Sequence, residues 1–261
     1  NIRKPEKYLS QVKWIKYNGS FDSLNVVNEK VDLIIHLATY FTQKNSTELV
    51  DTMISSNIIF GVHLLELAKH KGIKKFINTS SYAQSIDNSA YNPQNFYCST
   101  KQAFQDILKF YVDSGEVNLI DLTLSDVYGP NDYRAKFINL VIGALHKDEI
   151  FNMSKGEQTI RYLYVDDAID AYLRAIELLN DIKNKNFWNK KYSVCGCENF
   201  TLLELVSHVS NITGIDLEIN AGYYDYRERE IMDYQPLYPK LPNWHVKYNL
   251  EMGIKNILDE N

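Results

Sequence analysis

Val31-Asp32-Leu33-Ile34-Ile35-His36-Leu37-Ala38 is an almost unbroken apolar run. A run so short and so apolar reads as a strand buried on both faces, the usual state of strands in a parallel sheet. A long helix follows it. Asn45 can cap that helix, with Glu48 closing a capping box, and Gly72 ends it after Lys69, His70 and Lys71, where positive charge suits the helix dipole. From Ile54 to Leu67 the apolar residues spread over more than one face. Such a helix requires cover on two sides, from the sheet and from a partner subunit.

Beyond Gly72, strand and helix keep alternating. Lys74 to Thr79 predicts a strand, Phe96 to Ser114 a helix stopped at Gly115, and Val117 to Leu124 another strand. A Tyr-Gly-Pro turn precedes a helix from about Arg134 to His146, and Arg161 to Val165 leads into a helix near Asp167 to Leu179. Thr201 with Glu204 forms a capping box for a helix ending at Gly214. Alternation at these lengths implies crossover connections, hence an α/β fold with a doubly wound parallel sheet. After about residue 200 the pattern turns irregular and rich in Tyr and Pro, which suits a smaller C-terminal lobe.

The 261 residues are 45% hydrophobic and 23% charged, the balance of a soluble globular chain able to bury a sizeable core. A net charge of -5 leaves no basic surplus for neutralising a nucleic-acid backbone, so nucleic acid is excluded as the main partner. A small anion held by a few placed arginines is not excluded. The three cysteines, an odd number in a sizeable chain, suggest no disulfide framework. Cys195-Gly196-Cys197 lacks a second pair and the six histidines are scattered, so no metal is expected. No apolar run approaches the ~20 residues of a membrane span and no signal peptide is visible, which points to a cytoplasmic protein.

A doubly wound fold that binds dinucleotides normally opens with a strand, a Gly-rich turn and a helix whose N-terminus holds the pyrophosphate. The 11 glycines include no such turn, and the chain begins Asn1-Ile2-Arg3-Lys4-Pro5. The first βα unit is therefore expected upstream, in about 30 to 40 further residues, the length of one βαβ unit.

The chemistry centres on Phe96-Tyr97-Cys98-Ser99-Thr100-Lys101, a Tyr-x-x-x-Lys on a predicted helix. Spacing of i and i+4 puts phenol and ammonium on one helix face. The cation is expected to lower the Tyr97 pKa towards the working pH, as general acid-base work requires. The pattern also fits a solvated helix face. What distinguishes it is position, shortly after a strand ending in Asn78-Thr79-Ser80-Ser81, because α/β sheets bind ligands at the carboxyl ends of their strands.

Read in order, several segments resemble the extended short-chain dehydrogenase/reductase superfamily, the NAD-dependent epimerase/dehydratase family. They are Ile35-His36-Leu37-Ala38; Thr79-Ser80-Ser81; Tyr97 with Lys101; Asp126-Val127-Tyr128-Gly129-Pro130; Arg161-Tyr162-Leu163-Tyr164-Val165-Asp166-Asp167; and Pro242-Asn243-Trp244 before Leu250-Glu251-Met252-Gly253-Ile254. The resemblance implies a catalytic set of Tyr97 as proton donor or acceptor, Lys101 holding the nicotinamide ribose, and Ser81 bonding the substrate oxygen. It implies a cofactor groove lined by Leu37, Ala38 and Thr39, flanked by Thr79 and Ser80, with Val127 near the carboxamide. On the substrate side it implies Ser81, Tyr82, Asp126 and Asn139, with Arg161 and Arg227 on a sugar-nucleotide diphosphate. Guanidinium forks suit phosphate oxygens whatever the family. Arg161 could instead form a surface ion pair with Asp166 or Asp167, and Arg229 could serve in place of Arg227. Residues 1–130 and 160–198 would form the dinucleotide-binding domain, and 131–159 with 199–261 the sugar-nucleotide-binding lobe.

Departures from the family pattern narrow the reaction. Dehydratases of the family carry Asp-Glu after the catalytic Ser/Thr, whereas Ser81 is followed by Tyr82-Ala83. Asp126 stands where many relatives have Asn, which leaves its role open. The segments Tyr97 to Phe104, Tyr128-Gly129-Pro130-Asn131-Asp132 and Gly156-Glu157-Gln158 look most like the CDP-paratose/CDP-abequose synthase branch, which reduces a CDP-linked 4-keto sugar with NADPH. Arg3 and Lys4, just past the expected second strand, suit the NADP phosphate, so NADP(H) is favoured over NAD(H). The alternatives are an NAD-dependent sugar-nucleotide epimerase and a non-catalytic cofactor-binding protein. The resemblance also implies a homodimer through a four-helix interface.

Overall fold

Ile34–His36 forms the first strand, β1, in a computed structural model that describes residues 11–42, 46–145, 147 and 149–259. Next come α1 (Thr47–Ile54), α2 (Phe60–Lys71), β2 (Lys75–Ser81), α3 (Phe96–Asp113), β3 (Asn118–Leu124), β4 (Asp126–Tyr128) and α4 (Phe137–Ala144). The remainder is β5 (Phe151–Met153), β6 (Thr159–Ile160), β7 (Tyr162–Tyr164), α5 (Val165–Asn180), β8 (Lys190–Val194), β9 (Phe200–Thr201), α6 (Leu202–Thr213), β10 (Ile219–Ala221) and α7 (Leu250–Asp259).

The main sheet has the order β1-β2-β3-β8, and every pairing in it is parallel. Side chains alternate across a strand, so neighbours in sequence feed opposite layers. Phe76 and Leu119 meet Leu65 and Ala68 of α2 and Phe104 and Leu108 of α3 on one face. Ile77, Ile120 and Leu122 meet Ala168, Ala171, Ala175 and Leu178 of α5 on the other. Fully burying one large apolar side chain is worth roughly 1.5–3 kcal/mol, so these two layers supply most of what holds the sheet. A further core joins α4, α6 and α7 to Tyr128, Tyr162 and Tyr164.

The predicted elements are present, with differences of extent. Only Ile34–His36 of the run from Val31 pairs, and Ile35 and Leu37 are exposed rather than buried, because β1 is the edge strand among the described residues. The expected cap Asn45 lies outside the described residues; Ser46 stands at the N-cap of α1, and its hydroxyl bonds the Glu48 carboxylate at 3.4 Å. Gly72 and Gly214 end α2 and α6 in the left-handed conformation, and the Thr201–Glu204 capping box forms. The helix expected from Arg134 begins only at Phe137, and its expected end, His146, lies outside the described residues.

Thr47 to Lys71 is long and apolar enough to cross a membrane by length and composition, closer to a span than the sequence suggests. In this fold one side of it, with Met53, Leu65 and Ala68, is buried, while Ile59 stays exposed. A π-helical turn, Ser55–Ile59, joins its two halves.

Candidate functional site

Tyr97, Lys101 and Gln105 repeat at four-residue spacing on α3, which places all three on one face, and all three are buried. Asn95 starts the helix by accepting the Cys98 backbone N–H at 3.0 Å. Burial pushes the Tyr97 phenol up to about 12, while a hydrogen bond with Thr39 and the Arg134 charge pull it down. Burial also takes the Lys101 ammonium down to about 8, against the attraction of Asp121. The Tyr97 phenol is therefore raised, not lowered as spacing to Lys101 led one to expect, because desolvation outweighs the Thr39 hydrogen bond and the Arg134 charge.

Asn57, in the π-helical turn, is a site residue that sequence reasoning missed. Its side-chain oxygen accepts from the Thr39 hydroxyl at 3.0 Å and the Tyr40 N–H at 2.7 Å. Its amide donates to the Tyr40 carbonyl at 3.1 Å and to Thr100 Oγ1 at 2.9 Å, and the Thr100 hydroxyl donates to the Tyr97 carbonyl at 2.7 Å. Thus Asn57 ties the loop after β1 to the turn of helix that carries Tyr97. A π-helical turn inserts one extra residue and is frequent at functional sites. The signal available in sequence was a polar Asn within the apolar stretch Ile54-Ser55-Ser56-Asn57-Ile58-Ile59.

Ser81 ends β2 and caps the short turn Tyr82–Gln84, its hydroxyl accepting the Ala83 N–H at 3.3 Å. It lines a small cavity with Ser85, Thr123 and Tyr234, and the buried hydroxyls of Ser85 and Thr123 have no hydrogen-bond partner. Tyr82 packs edge-on against Tyr234, centroids 4.9 Å apart. Unpartnered hydroxyls beside Ser81 make this a polar recess, the reverse of an apolar core void.

Leu37, Ala38 and Thr39 are exposed at the carboxyl end of β1, and Ala38 opens into a cavity of about 580 Å³ with Tyr17, Asp51, Thr52, Ser55, Ser56 and Phe60. Thr79 and Ser80 flank the same strand ends but turn their hydroxyls inward. Strand alternation sends Thr79 to the Tyr172 phenol of α5, at 2.6 Å, and Ser80 to the carboxylate of Asp121 on the α3 side, at 2.6 Å. Val127 is half-buried, and its carbonyl accepts from Lys136. Asp126 is paired with Lys136 at 2.7 Å, which answers the charge that the sequence left open. Asn139 donates to the carbonyls of Asp132 and Arg134, both at 2.9 Å, so it holds the loop that brings Arg134 towards Tyr97.

Arg161 makes no ion pair with Asp166 or Asp167. Its Nη1 donates to the Cys197 carbonyl at 3.2 Å, and its Nε is buried without a partner. Asp167 instead accepts the N–H groups of Lys247 and Tyr248. Arg227 is exposed, 3.8 Å from Glu230, whereas Arg229 is tied to Asn92 and the Pro93 carbonyl. Arg227 is the freer of the two for a ligand. Arg3 and Lys4 lie outside the described residues. Among the described residues no three His, Cys, Asp or Glu side chains gather as a metal site would require.

A model of the NAD dependent epimerase/dehydratase family matches residues 13–191. The chain belongs to that family. Among this family member's relatives, the CDP-abequose synthase of Salmonella typhimurium is 26% identical, covering 98% of this chain and 86% of that protein. The CDP-abequose synthase of Yersinia pseudotuberculosis is 29% identical, over 84% and 75% of the two chains. Solved structures sharing the fold include two with bound ligands. The UDP-glucose 4-epimerase of Thermotoga maritima, with UDP-glucose, superposes with TM-score 0.77 at 21% identity, covering 92% and 79% of the two chains. RMD of Pseudomonas aeruginosa, complexed with NADPH, does so with TM-score 0.77 at 18% identity, covering 98% and 93%. Membership makes the chain an NAD(P)-dependent enzyme of the epimerase/dehydratase class.

Proposed function

We propose that this protein reduces a nucleotide-linked 4-keto-deoxysugar, with CDP as the favoured nucleotide, in deoxysugar and surface-polysaccharide biosynthesis such as that of lipopolysaccharide. The observation that carries the reading is a buried Tyr97 phenol on the same helix face as the Lys101 ammonium, with the Ser81 hydroxyl at the end of β2. Burial keeps the phenol protonated near neutral pH, the form from which a proton can pass to a developing alkoxide, itself far more basic than a phenolate. Tyr82-Ala83 after Ser81 supplies no acid–base pair for eliminating water.

The groove fits a nicotinamide dinucleotide: exposed Leu37, Ala38 and Thr39 at a strand's carboxyl end adjoin the 580 Å³ cavity, and Thr39 links it to Tyr97. When bound there, NADPH supplies a hydride to the keto carbon. Lys101 holds the ribose, Ser81 polarises the carbonyl, and Tyr97 protonates the oxygen as negative charge develops on it. Arg161, with its unpartnered Nε, and Arg227 grip the diphosphate. Residues 1–130 with 160–198 hold the cofactor, and 131–159 with 199–261 hold the sugar nucleotide. NADP(H) is favoured through Arg3 and Lys4, the protein works in the cytoplasm, and the assembly is a homodimer formed by α1, α2 and α3.

Screening CDP-, dTDP-, UDP- and GDP-linked 4-keto sugars for NADPH oxidation tests the reading. Oxidation with the CDP substrate supports it; no oxidation with any of the four overturns it. The competing assignment, an NAD-dependent epimerase with the same Tyr97, Lys101 and Ser81, predicts turnover of a 4-hydroxy sugar nucleotide with no net change in cofactor.

A further inference from the structure

The backbone at Ser81 is held by a buried glutamine three residues on. The Ser81 N–H donates to Gln84 Oε1 at 3.0 Å, and the Ala83 N–H donates to Ser81 Oγ at 3.3 Å. A hydroxyl that accepts an N–H keeps its own hydrogen to donate, which is what a substrate carbonyl oxygen requires of it. The Gln84 amide nitrogen faces α3, where it donates to Gln105 Oε1 and to Gln102 Oε1, both at 3.2 Å.

The two ends of a side-chain amide have nearly the same shape, so hydrogen bonding must decide which end of Gln84 meets Ser81. Two chains of hydrogen bonds decide it. Lys191 of β8 donates to Gln105 Oε1 at 2.8 Å. An ammonium only donates, so the Gln105 atom beside it is the carbonyl oxygen. The Gln105 nitrogen is left to donate to Asp121 Oδ2, at 2.8 Å, and to Ser80 Oγ. Asp121 is buried in β3, in register with Lys191, and its Oδ1 accepts from Ser80 Oγ at 2.6 Å and from Asn78 Nδ2 at 3.2 Å. On the outer side the Gln102 nitrogen donates to Asp106 Oδ1 at 2.9 Å, which turns the Gln102 oxygen towards Gln84. Both oxygens therefore meet the Gln84 nitrogen, and the Gln84 oxygen is left for the Ser81 N–H. Gln84 and Gln105 are buried, and a reversed Gln84 would set oxygen against oxygen and leave the Ser81 N–H unpaired.

We propose that Gln84 is a positioning residue: Lys191 and Asp121, acting through Gln105, orient its amide so that it holds the Ser81 N–H and leaves the Ser81 hydroxyl to donate to substrate. This rests on the catalytic reading of Ser81 given above. Gln84→Met keeps the length of the side chain and removes its hydrogen bonds. In the full chain, with NADPH and a CDP-linked 4-keto-deoxysugar, it lowers kcat about tenfold or more and leaves the KM for NADPH unchanged. In a Ser81→Ala background it lowers kcat no further, because the two residues act as one unit. Equal losses in both backgrounds mean a merely structural glutamine and overturn the proposal. A Ser81→Ala variant with native kcat removes Ser81 from the reaction, and the proposal falls with it. A second readout needs no turnover. Solvent exchange of the Ser81 amide hydrogen, followed by NMR, speeds up about tenfold or more in Gln84→Met; an unchanged rate in the folded variant overturns the proposal. Faster exchange in a protein that never oxidises NADPH removes the reduction and leaves the hold on Ser81 standing. Should Gln84→Met fail to fold, Gln102→Met, at the half-buried end of the chain, takes its place in both measurements with the same outcomes.

Discussion

Tyr97 carries the proton in the proposed reaction, and its surroundings set how it does so. Tyr97→Phe keeps the ring against Phe41, whose centroid lies 5.0 Å away, and removes only the hydroxyl. A loss in kcat of about 10²- to 10⁴-fold is expected, the range for a general acid, with unchanged thermal unfolding; retained kcat would remove Tyr97 from catalysis. Lys101 adds a pH limb. Its ammonium form is required and its pKa is drawn down to about 8, so kcat falls as pH rises through about 8, well below the ordinary lysine range. A profile flat from pH 7 to 10 would contradict that role. Asn57→Ala strips four hydrogen bonds from the loop beside Tyr97. Buried groups left unpaired cost about 1–3 kcal/mol, so a lowered melting temperature together with reduced kcat is the expected pair of effects. The shared helix face of Tyr97 and Lys101 was legible because it depends on spacing within one helix, while Ser81 entered through the family resemblance. Asn57 and Asp121 were not, since partners such as Thr100 and Ser80 lie 43 and 41 residues away in sequence, and only the folded chain brings them together.

At the scale of elements, alternation and capping were readable and local interruptions were not. Gly72, Gly214 and the Thr201–Glu204 box announce themselves through residue types with fixed backbone roles. The π-helical turn at Ser55–Ile59 leaves the apolar pattern of a long helix nearly intact and so has no signature of its own. The late start of α4 follows from the loop 131–136, where Asp132 pairs with Arg134 at 2.6 Å and Asn139 holds the carbonyls. Close packing gives these elements little slack. A Cβ on Gly61 of α2 would lie 2.4 Å from the Phe104 ring of α3. Gly61→Ala is therefore expected to destabilise by about 1–3 kcal/mol, the usual cost of overpacking, read as a lowered urea midpoint. A midpoint equal to the native one would mean that α2 and α3 are less tightly joined than described.

For the whole molecule, the parallel order of the sheet puts the ends of β1, β2 and β3 on one rim, and Thr39, after β1, reaches Tyr97 at the start of α3. The alternation of strand and helix was enough to foresee the parallel sheet, because crossover helices admit few alternatives. The edges of the fold were read less well: β1 was taken as buried on both faces, yet Ile35 and Leu37 stand open. Ile59 and Phe110, apolar and exposed on the α1–α2 and α3 helices, are the cover that a second copy would supply. Light scattering should give twice the chain mass, and Phe110→Glu should shift it to the monomer; a monomeric native protein would dismiss the dimer. The fate of the hydride decides between reduction and epimerisation. With NADPH deuterated on the transferred position and a CDP-linked 4-keto-deoxysugar, reduction predicts one NADP⁺ released per sugar and deuterium fixed at the former keto carbon. Product formed without loss of NADPH, or without label at that carbon, would contradict it.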